Sequence, residues 1–452
     1  MNTPVTAIIL AAGEGTRMKS DLQKTLHQVG GRSLLAHAIA SAETVASDLA
    51  VVIGASGEQV GPAAQKIAPS ASLHIQTERL GTAHAVLAAQ DALAKAAGDA
   101  VILYADTPFV SESSLQKMQA ARADVVILGF RAAVPGGYGR LVVEGGALTK
   151  IVEAKEASPE ELAIDFCNSG VVWAKAKTLL SLLRDVNNDN AKGEYYLTDI
   201  VEIANARGLT CAAVECDEAE TMGVNSRADL AAAEAAFQAR ARAAAMEGGA
   251  TLTAPETVFF SHDTKLGRDV TVEPHVIFAP GVAVEDGATI RAYSHLEGCT
   301  VRKGAVIGPS ARLRPGADIG EGGRIGNFVE VKNATFGKGA KANHLAYVGD
   351  ATVGAGSNIG AGVITANYDG VFKYPSRLGD NAFIGSNTTL IAPVEIGAGA
   401  YIAGGSVITG AVEEGALALS RAEKQEKSGV GARLVAKLRE MKAKGLKKKG
   451  AI

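Results

Sequence analysis

Aliphatic residues recur every six positions between residues 307 and 408, and few folds tolerate that period. Ile307, Leu313, Ile319, Ile325 and Val331 form one run; Leu378, Ile384, Leu390, Ile396, Ile402 and Ile408 form another. Small residues follow many of them, as in IGPS, IGEGGR, IGNF, LGDN, IGSN and IGAG. An α-helix repeats near 3.6 residues and a strand at two, so neither alone gives a hexad. A parallel β-helix does. Each hexad supplies one short strand with an inward aliphatic, and the corners demand small residues. Weaker hexads at Val270, Val276 and Val282 extend the pattern. With three hexads per coil, the region predicts roughly nine coils, about 45 Å tall.

The remaining length is organised differently. A chain of 452 residues predicts two or three domains. From Val5 onward, apolar runs (VTAIIL, LAVVIG, LHIQ, AVILYAD, DVVILGF) alternate with helical patterns near residues 33–45, 58–67, 82–97 and 113–122. That alternation predicts a mostly parallel, Rossmann-like α/β sheet covered by helices on both faces, with ligands beyond the carboxyl ends of the strands. Residues 226–247 are Ala-rich, free of Gly and Pro, and open with a Ser-x-x-Asp cap. They predict a long helix joining the two parts. The expected division is therefore 1–225, a linker helix 226–248, and 249–452.

A net charge of −3 argues against nucleic acid as a partner. Four cysteines without a C-x-x-C pair read as free thiols in a reducing compartment. The apolar run from Val5 to Ala12 is too short to span a membrane and lacks a basic leader. The expectation is a cytoplasmic protein. The basic stretch at 433–449 reads as a solvated, helical end.

Chemistry-bearing residues gather where strands end. LAAGEGTRM holds Gly13 and Gly15, whose backbone amides can face a phosphate, and Arg17; Lys24 follows. The run matches neither Walker A nor the dinucleotide fingerprint. It resembles the signature of the sugar-nucleotide pyrophosphorylases, departing from it at Gln23, where that family usually has Pro, which predicts a looser approach of Lys24. Asp106 ends the strand AVILYA, where one carboxylate can hold Mg²⁺ together with phosphates and water. A single Asp there is as readily a turn residue; the surrounding pattern decides for the metal. QTERLGTAHA, YAD (in place of the commoner Y-G-D), GYGR, IVEAKEA, CNSG and GVNSR come in family order.

With the hexads, the close resemblance is to the bacterial bifunctional N-acetylglucosamine-1-phosphate uridylyltransferase/glucosamine-1-phosphate N-acetyltransferase family, across nearly the whole chain. It implies that Leu10, Ala11, Ala12, Gly13, Lys24, Gln76, Gly81 and Thr82 hold the uridine nucleotide. Gly139, Glu153 and Asn168 would hold the sugar, with Asp106 and Asn225 on the metal. A sugar 1-phosphate is already nucleophilic, so uridylyl transfer needs positioning and charge neutralisation, here from Arg17, Lys24 and Mg²⁺, rather than a base.

The hexad fails between Val331 and Leu378: Val331 to Phe336 and Val348 to Val353 are five-residue steps, and Ile359 to Leu378 is nineteen. Function is expected where a regular scaffold breaks its own rule. This window holds His344, the best candidate base, since amine attack on a thioester must shed a proton. By the resemblance, Arg314, Lys332, Tyr347, Asn358, Asn367 and Tyr368 surround glucosamine 1-phosphate. Ala361, Ser386, Gly404 (for a commoner Ala) and Arg421 line an acetyl-CoA groove. It further implies a left-handed, trimeric β-helix and the substrates UTP, N-acetylglucosamine 1-phosphate, glucosamine 1-phosphate and acetyl-CoA. Two other readings stay open at this point: a pyrophosphorylase whose β-helix only assembles or regulates, and a non-catalytic assembly subunit.

Overall fold

The computed structural model describes residues 3–55, 57–190 and 192–445. Contacts divide the chain into a first unit ending at Thr264 and including Phe278–Gly281, and a second made of Lys265–Ile277 and the chain from Val282 onward.

The first unit is built on a sheet of β1 (Val5–Ala11), β2 (Asp48–Gly54), β3 (Ser72–Gln76), β4 (Asp99–Tyr104), β5 (Val125–Arg131), β6 (Arg140–Glu144), β7 (Ala147–Val152), β8 (Phe166–Lys175) and β9 (Cys211–Cys216). Its order is β9-β5-β8-β4-β1-β2-β3, with the β6–β7 hairpin attached to β8. β1 pairs in parallel with β2 and β4, while β8 runs antiparallel to β4 and β5. Every residue of β1 is buried, as expected for a central strand covered on both faces. Two apolar clusters fill the two sides of the sheet. The helices fall where the periodicity put them, α1 at Leu34–Glu43, α2 at Val60–Ile67 and α5 at Glu112–Ala120. The helix predicted over 82–97 is interrupted at Ala89, giving α3 (Thr82–Ala88) and α4 (Gln90–Lys95).

The long helix spans Arg227–Glu247, and Ser226 and Asp229 form the expected reciprocal cap. It is not a free arm. Ala233 packs with Val29, Leu34, Phe109 and Val224. Glu234 accepts from Gly30 N at 2.7 Å, and Gln238 bonds both Phe260 N and Phe260 O. Gly30 has φ +55°, and a Cβ there would lie 2.4 Å from the Phe237 ring. These contacts carry the first unit to Thr264, past the division expected at residue 225.

In the second unit, nine short strands from Thr271–Val272 to Leu417–Ala418 stack in parallel on one face, matching the roughly nine coils expected. Ile290, Ile307, Ile325, Ala342, Ile359, Ile384 and Ile402 sit in register. All the hexad aliphatics are buried. The five-residue steps occur where the strands Glu330–Phe336 and Tyr347–Val353 run through a corner without breaking. Asn333 (φ 45°) and Asp350 (φ 47°) make those bends; Asn and Asp tolerate that left-handed region better than most residues. The nineteen-residue gap from Ile359 to Leu378 holds the loop 367–375 between the strands Ile364–Ala366 and Ser376–Leu378, closed by a Tyr368–Lys373 bridge. A last helix, Val430–Ala443, is exposed along nearly its whole length. The end of the predicted basic stretch, 446–449, lies outside the described residues.

Candidate active sites

In the first unit, a cleft opens at the carboxyl ends of β1, β3 and β4, the edge of an α/β sheet where ligands bind. Its lining includes Leu10, Ala11, Ala12, Gly13, Lys24, Gln76, Gly81, Thr82 and Asp106, all expected there, and also Arg79, Tyr104 and Glu194. Gly81 is required by shape. Its φ is +117°, and a Cβ would lie 2.4 Å from Tyr195 O. Tyr195 N donates to Leu80 O, Ala83 N to Tyr195 O and Leu197 N to Thr82 Oγ1. The segment 194–198 is thereby clamped onto the start of α3.

A second hollow shares Thr82 and Tyr104 with the first and adds Glu153, Asn168, Leu197 and Thr198. Asn168 N donates to Gly139 O at 2.8 Å, placing Gly139 beside it. Burial raises the Glu153 carboxyl above its ordinary range. Asp199 is pushed up to about 6, by burial first and then by Glu202, Glu156 and Glu153.

Lys24 Nζ makes an ion pair with Asp106 Oδ2 and donates to Asn225 Oδ1 at 3.1 Å. Gln23 does not loosen this arrangement. Its φ of −57° is the value that proline would impose, and its N–H is held by Gln59 Oε1 at 3.1 Å. Ala105 is buried and donates its N–H to Leu10 O, so the departure from glycine fits ordinary backbone. Arg17 is exposed on the turn Thr16–Met18 and is absent from the cleft lining.

In the second unit, His344, Ala361, Ser386 and Gly404 take the same corner position on successive coils. Each precedes a left-handed residue: Leu345, Gly362, Asn387 and Gly405. Bonds from Gly362 N to Leu345 O, Asn387 N to Ala361 O and Gly405 N to Ser386 O ladder the corner together. Arg421 Nη1 donates to Gly404 O at 2.9 Å. A Cβ on Gly404 would sit 3.1 Å from Ser386 O, so glycine leaves the groove slightly roomier. His344 is exposed, and its Nδ1 lies 2.7 Å from Asn327 Oδ1. With Nδ1 donating, Nε2 keeps the lone pair that a base needs.

Beside this corner, cations crowd together. Lys332 has its pKa lowered by Lys373 first, then by desolvation and by Arg314. Arg314 donates to Glu330 Oε1 at 2.8 Å. Tyr347 folds its hydroxyl over Gly349, the register partner of Lys332. Asn367 donates to Asp350, which also accepts from Asn333 at 2.6 Å. Tyr368 stands exposed on the protruding loop, and Asn358 lies on the strand next to His344's coil.

Residues 7–166 match the model of the MobA-like NTP transferase domain, and residues 375–410 that of the bacterial transferase hexapeptide (six repeats). The Bifunctional protein GlmU of Jannaschia sp. (strain CCS1) is 55% identical over 97% of both chains. That of Azorhizobium caulinodans is 56% identical over 94% of this chain and 96% of its own. The Sphingopyxis alaskensis protein is 52% identical over 99% and 100%. This chain belongs to the bifunctional GlmU family. It is a bifunctional transferase with a nucleotidyltransferase unit and a hexapeptide unit. Among the described residues, no helix is long and apolar enough to cross a membrane.

For a GlmU-type chain, the sequence reasoning missed the supports: Asn327 behind His344, Asp350 behind Asn367, Glu330 behind Arg314, Lys373 beside Lys332, and the segment 194–199. One signal could have found several of them. Asn327 and His344 are seventeen positions apart, as are Asn333, Asp350 and Asn367, and residues one coil apart stack.

Proposed function

We propose how the residues of this enzyme divide two reactions. The enzyme makes UDP-N-acetylglucosamine: it acetylates glucosamine 1-phosphate from acetyl-CoA, then couples the product to UTP with loss of pyrophosphate. The observation carrying the first assignment is the single corner column in which His344 stacks with Ala361, Ser386 and Gly404. A thioester lying along that column would end at the imidazole. The amine nitrogen of glucosamine 1-phosphate attacks the thioester carbonyl, a C–N bond forms, and the C–S bond breaks with CoA thiolate leaving. His344 Nε2 takes the amine's proton, while Asn327 fixes the ring. Lys332, Arg314 and Lys373 supply the positive field for the phosphate, and Tyr347, Asn358, Asn367 and Tyr368 surround the sugar.

In the other cleft, the sugar-phosphate oxygen attacks the α-phosphorus of UTP, and the bond to the bridging oxygen breaks as pyrophosphate leaves. Gly13 to Gly15 present backbone amides, Lys24 neutralises charge, and Glu153, Asn168 and Gly139 orient the sugar. A divalent metal suits the donor set: Asp106 and Asn225 aim oxygens at one cation, Lys24 Nζ. Magnesium takes one or two protein oxygens plus phosphates and water. Held by Asp106 and Asn225, Mg²⁺ would supply positive charge against the nucleotide's phosphates.

Self-association as a trimer is part of this reading. Tyr293, Phe328 and Leu345 are about two-thirds exposed at 64%, 62% and 60%, share one corner column, and all adopt left-handed φ. Large apolar residues in that conformation, facing solvent, support a covered surface. We also place the enzyme in the cytoplasm, in keeping with its four buried free cysteines.

Pure protein incubated with acetyl-CoA, glucosamine 1-phosphate, UTP and Mg²⁺ should form UDP-N-acetylglucosamine. Omitting acetyl-CoA should stop the sequence unless N-acetylglucosamine 1-phosphate is added. Nucleotide-sugar formation without either would overturn the assignment of steps.

A further inference from the structure

The ammonium of Lys24 occupies the point at which the proposed metal ligands converge. Its side chain is only 9% exposed and that of Asp106 23%. The stem is held by the Gly-rich turn, since a Cβ on Gly15 (φ +66°) would lie 2.4 Å from Lys24 Cβ. The backbones that carry the opposing oxygens are held as well. Asn225 N donates to Asp229 Oδ2 at 3.0 Å, Asp229 is tied to the helix cap at Ser226, and Val224 N donates to Asp106 O at 2.9 Å.

We propose that Lys24 is a displaceable counter-ion: it holds Asp106 and Asn225 in the geometry that a divalent cation takes over, and then turns to the nucleotide's phosphates. This rests on reading Asp106 and Asn225 as metal ligands. The lone pairs aimed at one point cannot serve an ammonium and a divalent ion together, and two cations in contact repel. A divalent ion arriving alone must therefore compete with Lys24. One arriving with a triphosphate brings the anion that draws the ammonium away. The lysine couples the two binding events, so that each favours the other. A hydrogen bond between charged groups corresponds to roughly ten- to hundredfold in a dissociation constant.

Manganese binding, followed by electron paramagnetic resonance on the full chain, tests this without turnover. Without nucleotide, Lys24→Met should bind Mn²⁺ about tenfold or more tightly than the parent. With a saturating non-hydrolysable UTP analogue, that advantage should vanish. Lys19→Met removes an exposed charge beside the Gly-rich turn, outside the cleft lining, and should change Mn²⁺ binding little. Asp106→Asn should abolish the site. If Lys24→Met is unfolded by thermal melting, Lys24→Gln replaces it. Unchanged Mn²⁺ affinity on losing Lys24, or equal tightening from Lys19→Met, overturns the counter-ion while loss in Asp106→Asn leaves the metal reading standing. Parental Mn²⁺ binding in Asp106→Asn overturns the metal reading itself.

Discussion

A histidine becomes a base through what holds it, and here the holder is Asn327, one coil below His344 at 2.7 Å. General-base catalysis is worth roughly 10² to 10⁴ in rate, so His344→Ala should lower acetyl transfer by about that factor. Uridylyl transfer should be unchanged. Asn327→Ala should lower kcat for acetyl transfer by less, with little change in the KM for acetyl-CoA. Equal acetyl-transfer rates in His344→Ala and the parent would move the proton elsewhere. Asp199 makes a second residue-scale case. Its folded pKa of about 6 stands above its ordinary value of 3.8 because burial and three glutamates oppose its charge. Stability from this group is therefore full below pH 4 and is lost as pH rises to about 6. Asp199→Asn should flatten the fall in melting temperature across that window and raise it at pH 7 to 8. An unaltered pH profile would show that the carboxyl is better solvated.

At the scale of elements, the corner column decides more than the strands do. The strands need only an inward aliphatic, which the hexads supply. At the corner, successive coils demand left-handed φ, and Gly362, Asn387 and Gly405 meet it cheaply whereas Tyr293, Phe328 and Leu345 do not. Asn tolerates that conformation better than Phe. Phe328→Asn should therefore leave the β-helix at least as stable to heat at low protein concentration, yet weaken self-association in sedimentation. A variant that assembles like the parent would assign the exposed ridge no part in the oligomer.

For the whole molecule, the question is where the first unit can be cut. A chain ending at residue 225 keeps Lys24, Asp106 and Asn225. It loses Glu234, Phe237 and Gln238, which hold the Gly30 loop and Phe260. A chain ending at Thr264 keeps all of them. Both should lack acetyl transfer, and the shorter should melt lower by roughly 4–8 °C, the shift expected for about 2 kcal/mol lost from a unit of this size. Equal melting temperatures would return the long helix to the role of a bare connector.

Much of this was legible in the residues themselves. A six-residue period leaves the β-helix little competition, and strand-helix alternation dictates a sheet with its ligands at strand ends, because both are local repeats that a chain must satisfy everywhere. The motif residues of the nucleotide cleft were legible because each group is contiguous in sequence, Leu10 to Gly13 running off the end of β1 and Gly81 to Thr82 opening α3. What the tertiary structure alone decided were contacts between distant segments. The convergence of Lys24, Asp106 and Asn225 and the grip of Glu234 on Gly30 join residues from 82 to 204 positions apart. No local period encodes such meetings; they follow only when strand register and helix packing fix where each chain segment ends.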